Sequence, residues 1–206
     1  MSEQHRIEDV ATLERLYGTP TETSIAKEVD HVHPVYRPFI EKAPFFVLAT
    51  SGPDGLDASP RGDEPGFVVV EDDKTLLIPD RRGNNRIDSL RNILLDPRVA
   101  LLFLVPGVGE TLRVNGRATL SVDPALLARF AVGGKEPRSV MVVAVETVFF
   151  QCSRALVRSH LWDASRQLPR SALPSGGTIL GTLSAGKVGG AEYDAALPAR
   201  VAATLY

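Results

Sequence analysis

Residues 45–61 decide the fold class: Phe45-Phe46-Val47-Leu48-Ala49-Thr50-Ser51, then Gly52-Pro53-Asp54-Gly55, then Leu56-Asp57-Ala58-Ser59-Pro60-Arg61. The first run is apolar and β-prone, the Gly-Pro-Asp-Gly step is turn chemistry, and the second run is expected to return antiparallel to the first. The same grammar recurs downstream. Phe67 to Val70 and Thr75 to Pro79 flank Glu71-Asp72-Asp73-Lys74 as a second hairpin. Val99 to Val105 reads as a buried strand ended by Pro106-Gly107, and Thr111 to Val122 and Ser139 to Gln151 are longer strand-like runs. Asn115-Gly116 interrupts the first of these in one of two ways, as a type I′ hairpin or as a bulge bending one long strand. At least five hairpin-linked strands with few helices between them fit an antiparallel barrel rather than a parallel α/β sheet.

Helical patterns surround and interrupt this β region. Ile7, Val10, Leu13, Leu16 and Tyr17 recur at helical spacing before Gly18 and Pro20. Thr21 or Thr23 can cap a short helix running to Asp30, and Pro34 to Ala43 reads as a third, with Val35, Phe39 and Ile40 on its apolar face. Asn84 to Leu95 places Ile87, Leu90, Ile93 and Leu94 on one face, and Asp123-Pro124 supplies the N-cap and first position of a helix ending at Gly133-Gly134. Leu168 to Lys187, rich in Gly, Ser and Pro, reads as an extended arm, and Ala191 to Tyr206 as a last helix broken at Pro198.

A chain of 206 residues is long enough to bury a core without staples. Its 23 basic and 25 acidic residues leave a net charge of −2, so no general attraction to nucleic acid or anionic membrane is expected. One cysteine forms neither an internal disulfide nor a thiolate cage, and Cys152, following Val148-Phe149-Phe150, reads as a small buried hydrophobe. The polar start to Val10 contains no secretory h-region, and no apolar run reaches membrane-spanning length, so a cytoplasmic protein is expected.

The chemistry concentrates in a few stretches. Asp80-Arg81-Arg82-Gly83-Asn84-Asn85-Arg86 leaves a strand and enters the expected helix. Free helix amides, a capping Asn84, a permissive Gly83 and three guanidiniums suit a phosphate clamp, and equally a solvated basic turn. Asp57, Ser59 and Arg61 share one face of a strand, suited to a polar ligand edge or to an exposed Arg–Asp pair. Thr111, Arg113 and Asn115 line one face of another. His31 and His33 fall on one side of an extended segment but lack a carboxylate or cysteine partner in register, so no metal is expected. Trp162, the sole tryptophan, either covers a ring-shaped ligand or fills the core. No Gly-x-Ser-x-Gly elbow, Walker loop or Gly-x-Gly-x-x-Gly is present, so nothing supports a serine hydrolase, P-loop or Rossmann protein.

Taken in order, Phe45 to Thr50, Ser59-Pro60-Arg61-Gly62-Asp63, Leu76 to Arg86, Leu101 to Gly107, Glu110 to Arg117, Phe149 to Cys152 and Arg158-Ser159-His160-Leu161-Trp162 resemble the pyridoxamine 5′-phosphate oxidase-like FMN-binding family. The likeness is greatest to its flavin-nucleotide-binding subgroup of undefined substrate. It implies a mainly β (α+β) fold: a split antiparallel β-barrel with N-terminal and peripheral helices, divided as 1–43 N-terminal helical extension, 44–165 FMN-binding barrel and 166–206 C-terminal arm and helix packing on the barrel or the dimer partner. It also implies a homodimer with FMN at the subunit interface, and it favours the bulge at Asn115-Gly116.

By position, the resemblance gives the FMN phosphate to Asn85 and Arg86, with Arg61 reaching in from the neighbouring strand, and lays the backbone of Ile78 and Pro79 along the flavin edge. Thr111 stands where the family often presents a glutamine. The cofactor-binding set is then Ser59, Arg61, Ile78, Pro79, Asp80, Asn84, Asn85, Arg86, Thr111, Arg113 and Trp162. Arg158 and His160 have the Arg-x-His spacing with which the oxidase holds its phosphorylated substrate. The function implied is an FMN-dependent oxidoreductase acting on a small molecule. The alternatives are a flavin-binding sensor without turnover, pyridoxamine 5′-phosphate oxidase proper, and a split barrel using deazaflavin or haem, for which only His160 offers an axial ligand near the expected site.

Overall fold

The computed structural model describes residues 5–53 and 55–206, so Asp54 of the first turn lies outside the described residues. Seven strands, β1 (Phe45–Gly52), β2 (Gly55–Gly62), β3 (Val69–Asp72), β4 (Thr75–Pro79), β5 (Arg98–Leu104), β6 (Thr111–Ser121) and β7 (Val140–Gln151), form one sheet in the order β2-β1-β5-β6-β7-β4-β3. Every neighbouring pair is antiparallel. The sheet curls around one core but does not close, because no ladder joins β2 to β3. This is the split antiparallel barrel expected from the sequence.

Alternation drives the curl. Phe46 and Leu48 of β1, Leu101 and Phe103 of β5, and Leu112 and Val114 of β6 all point inward and are fully buried. Phe46 stacks on Phe67 at 5.8 Å and meets Phe103 at 5.1 Å, an aromatic cluster at the centre of the barrel. The bulge reading of Asn115-Gly116 is correct, but the extra residue sits on β7. Asn115 pairs with Thr147 and Gly116 with Val145, which leaves Glu146 over. Gly116 is required there, since a Cβ would lie 2.2 Å from the Ala144 carbonyl oxygen.

The first helices are α1 (Val10–Tyr17), α2 (Glu22–Ala26) and α3 (Arg37–Lys42). Pro38 lies in the first turn of α3, where its missing N–H has no partner to lose, and α3 drives Ile40 into the core. The fourth, α4 (Asp88–Leu95), begins four residues later than the expected Asn84. Asn85 and Ile87 adopt left-handed backbone angles (φ 61° and 55°), which no helix tolerates, and Asn84 caps a local turn by accepting from the Arg86 N–H. From this start α4 packs on β1, β2 and β6, with Ile93 in the core and Asn92 Nδ2 donating to Thr50 Oγ1 at 3.1 Å.

Asp123 caps α5 (Pro124–Arg129) by accepting from the Ala125 N–H, with Pro124 in the first turn as expected. This helix ends before Gly133, earlier than its pattern implied. Cys152 is exposed rather than buried, since β7 ends at Gln151 and the chain leaves the sheet. After α6 (Arg154–Ser159), the expected extended arm instead contains α7 (Gly176–Leu183), capped by Ser175 accepting from the Thr178 N–H. The final helix, α8 (Gly190–Thr204), runs through Pro198 without breaking. These two pack chiefly against each other. Among the described residues no helix is long and apolar enough to cross a membrane.

Candidate functional site

The split is where the barrel exposes polar groups. Curvature brings the end of β2 against the end of β4, and two ion pairs join them crosswise. Arg61 Nη1 donates to Asp80 Oδ1 at 2.7 Å, and Arg81 Nε donates to Asp63 Oδ2 at 2.6 Å. Arg81 also donates through Nη1 to the Phe130 carbonyl at 2.6 Å, so the segment after α5 holds it from a third side. The Asp63 side chain is 5% exposed. Its burial pushes the carboxyl up, but the Tyr206 hydroxyl, the Arg81 guanidinium and the Glu64 N–H outweigh this and hold it below the usual carboxylate range.

Beside these pairs opens a cleft of about 630 Å³, within the ~300–1,000 Å³ of ordinary small-ligand sites. Its walls are β2 from Asp57 to Gly62, the segment from Pro79 through Leu90, and Arg138-Ser139, with Phe67 between. Five guanidiniums line it (Arg61, Arg81, Arg82, Arg86, Arg138) against three carboxylates, Asp57, Asp80 and Asp88, so the cleft favours an anion.

The loop from Asp80 to Ile87 is shaped by its own polar groups. Asn85 Oδ1 accepts from Arg138 Nη1 at 2.8 Å, and Arg86 Nε donates to Asp88 Oδ2 at 2.8 Å, which raises the Arg86 pKa above its usual value. Left-handed Ile87, a β-branched residue, is a strained position immediately before the free amides of α4. Gly83 is not needed for its backbone angles; a Cβ there would meet nothing within 4 Å, so the space beside it is open cleft. Ser89 Oγ donates to Asp57 Oδ2 and ties the helix start to β2.

Among the described residues, Arg61 of the cleft wall has one polar atom without a partner. Arg61 Nε is buried and makes no hydrogen bond, while Asp80 occupies only Nη1 of the same guanidinium. A buried donor left in this state costs about 1–3 kcal/mol, and an acceptor atom of a ligand in the cleft would satisfy it. The donor set therefore fits a phosphate group.

The expected site residues divide in two. Ser59, Arg61, Pro79, Asp80, Asn84, Asn85 and Arg86 all line the cleft. Ile78 is adjacent in sequence, but its side chain is in the core. Thr111 and Arg113 lie away from the cleft on β6, Thr111 buried and Arg113 exposed with its guanidinium 5.2 Å from the Phe149 ring. Arg158, His160 and Trp162 are also outside the cleft. Trp162 fills no core: it is 37% exposed, and its Nε1 donates to the Val108 carbonyl at 2.8 Å. His31 and His33 stand in a loop with their rings 5.8 Å apart, and His31 Nδ1 pairs with Asp30. Among the described residues no three His, Cys, Asp or Glu side chains gather as a metal site.

Arg138 and Tyr206 are neighbours of the cleft that local sequence did not single out, and Asp63, the end of the Ser59-Pro60-Arg61-Gly62-Asp63 strand motif, gave no sign of its partners. Arg138 follows the Gly133-Gly134 turn with no motif around it. Asp63 and Tyr206 meet across 143 positions, with the hydroxyl donating to the carboxylate at 2.6 Å.

An open antiparallel barrel with a cationic cleft at its split defines the split-barrel class. Residues 32–152, more than half of the chain, match the sequence model of the pyridoxamine 5′-phosphate oxidase family, and the chain belongs to that family. The match stops before Arg158, His160 and Trp162. Similar solved structures include a HupZ variant from Group A Streptococcus, at 20% identity and a TM-score of 0.48 over 58% of this chain and 99% of that one. General stress protein 26 from Bacillus anthracis str. Sterne is 17% identical, with a TM-score of 0.41 over 55% of this chain and 88% of its own. No curated protein matches the chain.

Proposed function

We propose that this protein is an FMN-binding oxidoreductase acting on a small molecule, with the FMN phosphate seated in the cleft at the barrel split. The observation that carries this reading is the unpartnered, buried Arg61 Nε in a wall with an excess of guanidiniums. Family membership supports it. Arg61 would grip the phosphate with the part of its fork that Asp80 leaves free, a charge-assisted contact. Asn85, Arg86 and the first amides of α4 would supply the remaining donors. The bound flavin would accept or deliver hydride, and the protein would supply position and field. The cationic wall opposes loss of the phosphate and stabilises negative charge on the bound group. Ser59 and the backbone of Pro79 would border the flavin.

Of the expected residues outside the cleft, Thr111 and Arg113 lie on β6, on the outer face of the sheet. There Phe45 opposes Leu104, Val47 opposes Leu102 and Ala49 opposes Ala100, a run of apolar pairs that continues to Arg113 and Phe149. Asn115 on the same face has a buried Oδ1 without a donor. An apolar sheet face with an unmet acceptor supports a homodimer in which a second copy covers this surface and completes the flavin site.

FMN titration followed by flavin fluorescence tests the reading. Saturable binding is expected, and NAD(P)H reduction followed by reoxidation with a defined acceptor would establish turnover. Binding without any turnover would leave a flavin-storing or sensing protein, and no binding would overturn the proposal.

A further inference from the structure

Tyr206 closes a contact that the cleft chemistry does not require. Its hydroxyl donates to Asp63 Oδ1 at 2.6 Å, its ring lies 5.5 Å from the Arg81 guanidinium, and its backbone oxygen accepts from Lys135 Nζ at 3.2 Å. Asp63 is thereby fully engaged: Tyr206 Oη and the Glu64 N–H donate to one carboxylate oxygen, and Arg81 Nε to the other. Arg81 is itself part of the cleft wall. The α7–α8 hairpin, which packs mainly on itself, thus reaches the barrel through an aromatic residue set against an arginine of the cleft wall.

We propose that Tyr206 is a latch: by donating to Asp63 and covering Arg81 it docks the C-terminal hairpin on the barrel and holds the cleft segment from Asp80 to Ile87 in its binding geometry. Tyr206 is a positioning residue, since it touches Arg81 and Asp63 rather than the cleft itself. The connection is short. Arg81 is the second residue of that segment, and three anchors fix its guanidinium: Asp63, the Phe130 carbonyl and the Tyr206 ring. Losing the hydroxyl removes one donor from Asp63 and loosens the hairpin; losing the ring also uncovers Arg81. Because docking and cleft order share Arg81, whatever binds the ordered cleft also strengthens the latch, as linkage between two sites requires. The groups that face the phenol are Asp63, Arg81 and Glu64, while Lys135 holds the backbone oxygen of the same residue. Asp63 both accepts its proton and repels its anion, so the phenol ionises above the usual tyrosine range and the latch stays protonated at neutral pH.

Hydrogen exchange of the full chain without ligand tests this. Wild type, Tyr206→Phe and Tyr206→Ala are compared, with amides in 190–204 reporting the hairpin and those in 80–87 the cleft. Both segments should exchange at least about threefold faster in Tyr206→Phe and faster still in Tyr206→Ala. Unchanged exchange at 80–87 in Tyr206→Ala would overturn the proposal. So would a Tyr206→Phe protein indistinguishable from wild type, because the hydroxyl would then hold nothing. The comparison uses no flavin, so failure of FMN to bind bears on the proposed function alone.

Discussion

Asp63 shows how much of this fold's polar chemistry depends on single side chains. It takes three donors in a buried setting and pairs with the arginine that shapes the cleft. Replacing it with alanine strands Arg81, and stability to urea should fall by about 1.5–3 kcal/mol, the range for hydrogen bonds to charged groups. The pH dependence follows from its lowered pKa. A carboxyl that ionises more readily in the folded state stabilises that state above the unfolded pKa, near 4, and the contribution drains away as pH falls through the folded value. Urea melts of wild type and Asp63→Asn between pH 7 and pH 3 should therefore diverge most at neutral pH and converge in acid. Parallel curves would place the stabilising charge elsewhere. Asp63 stood at the end of a strand motif in the sequence, and its pairing partners gave no local sign, because barrel curvature brings Arg81 to it and the chain beyond α8 brings Tyr206.

Elements were legible where their signals are local. The hairpins β1–β2 and β3–β4 follow from two-residue alternation beside turn residues, and the Asp123-Pro124 helix start from capping chemistry. The start of α4 was not legible. Ile87 extends the apolar spacing of Leu90, Ile93 and Leu94 backwards, and nothing in that spacing reveals that its backbone is left-handed. The bulge was visible at Asn115-Gly116, but its extra residue, Glu146, was assigned only by register with a strand thirty positions away. Gly116 gives this element a test. Gly116→Ala forces a Cβ onto the Ala144 carbonyl and should cost about 1–3 kcal/mol in thermal or urea unfolding, as overpacking does. Gly83→Ala, whose new methyl meets open space, should change stability by less than about 0.5 kcal/mol. Equal effects at the two positions would contradict the close strand approach.

At the scale of the whole molecule, the expected site residues form two groups that one copy keeps apart. One lines the cleft at the split; the other, with Thr111 and Arg113, occupies the outer sheet face and its surroundings. Residue types and order in the sequence carried both groups, but their separation depends on curvature, which no local pattern encodes. The proposed association through the apolar outer face would bring a second copy to that surface, so sedimentation equilibrium at micromolar concentration should give twice the 22.2 kDa chain mass. A Leu102→Asp change on that face should shift the protein toward monomer, and a wild-type monomer that still binds FMN would rule the arrangement out. The most direct measurement of the central claim is a four-way titration: FMN and riboflavin, each against wild type and Arg61→Ala. FMN should bind wild type more tightly than riboflavin does, and Arg61→Ala should weaken FMN about tenfold or more, a charge-assisted contact of at least ~1.4 kcal/mol, while leaving riboflavin nearly unchanged. Equal losses for both flavins, or no loss for either, would contradict a phosphate held at the barrel split.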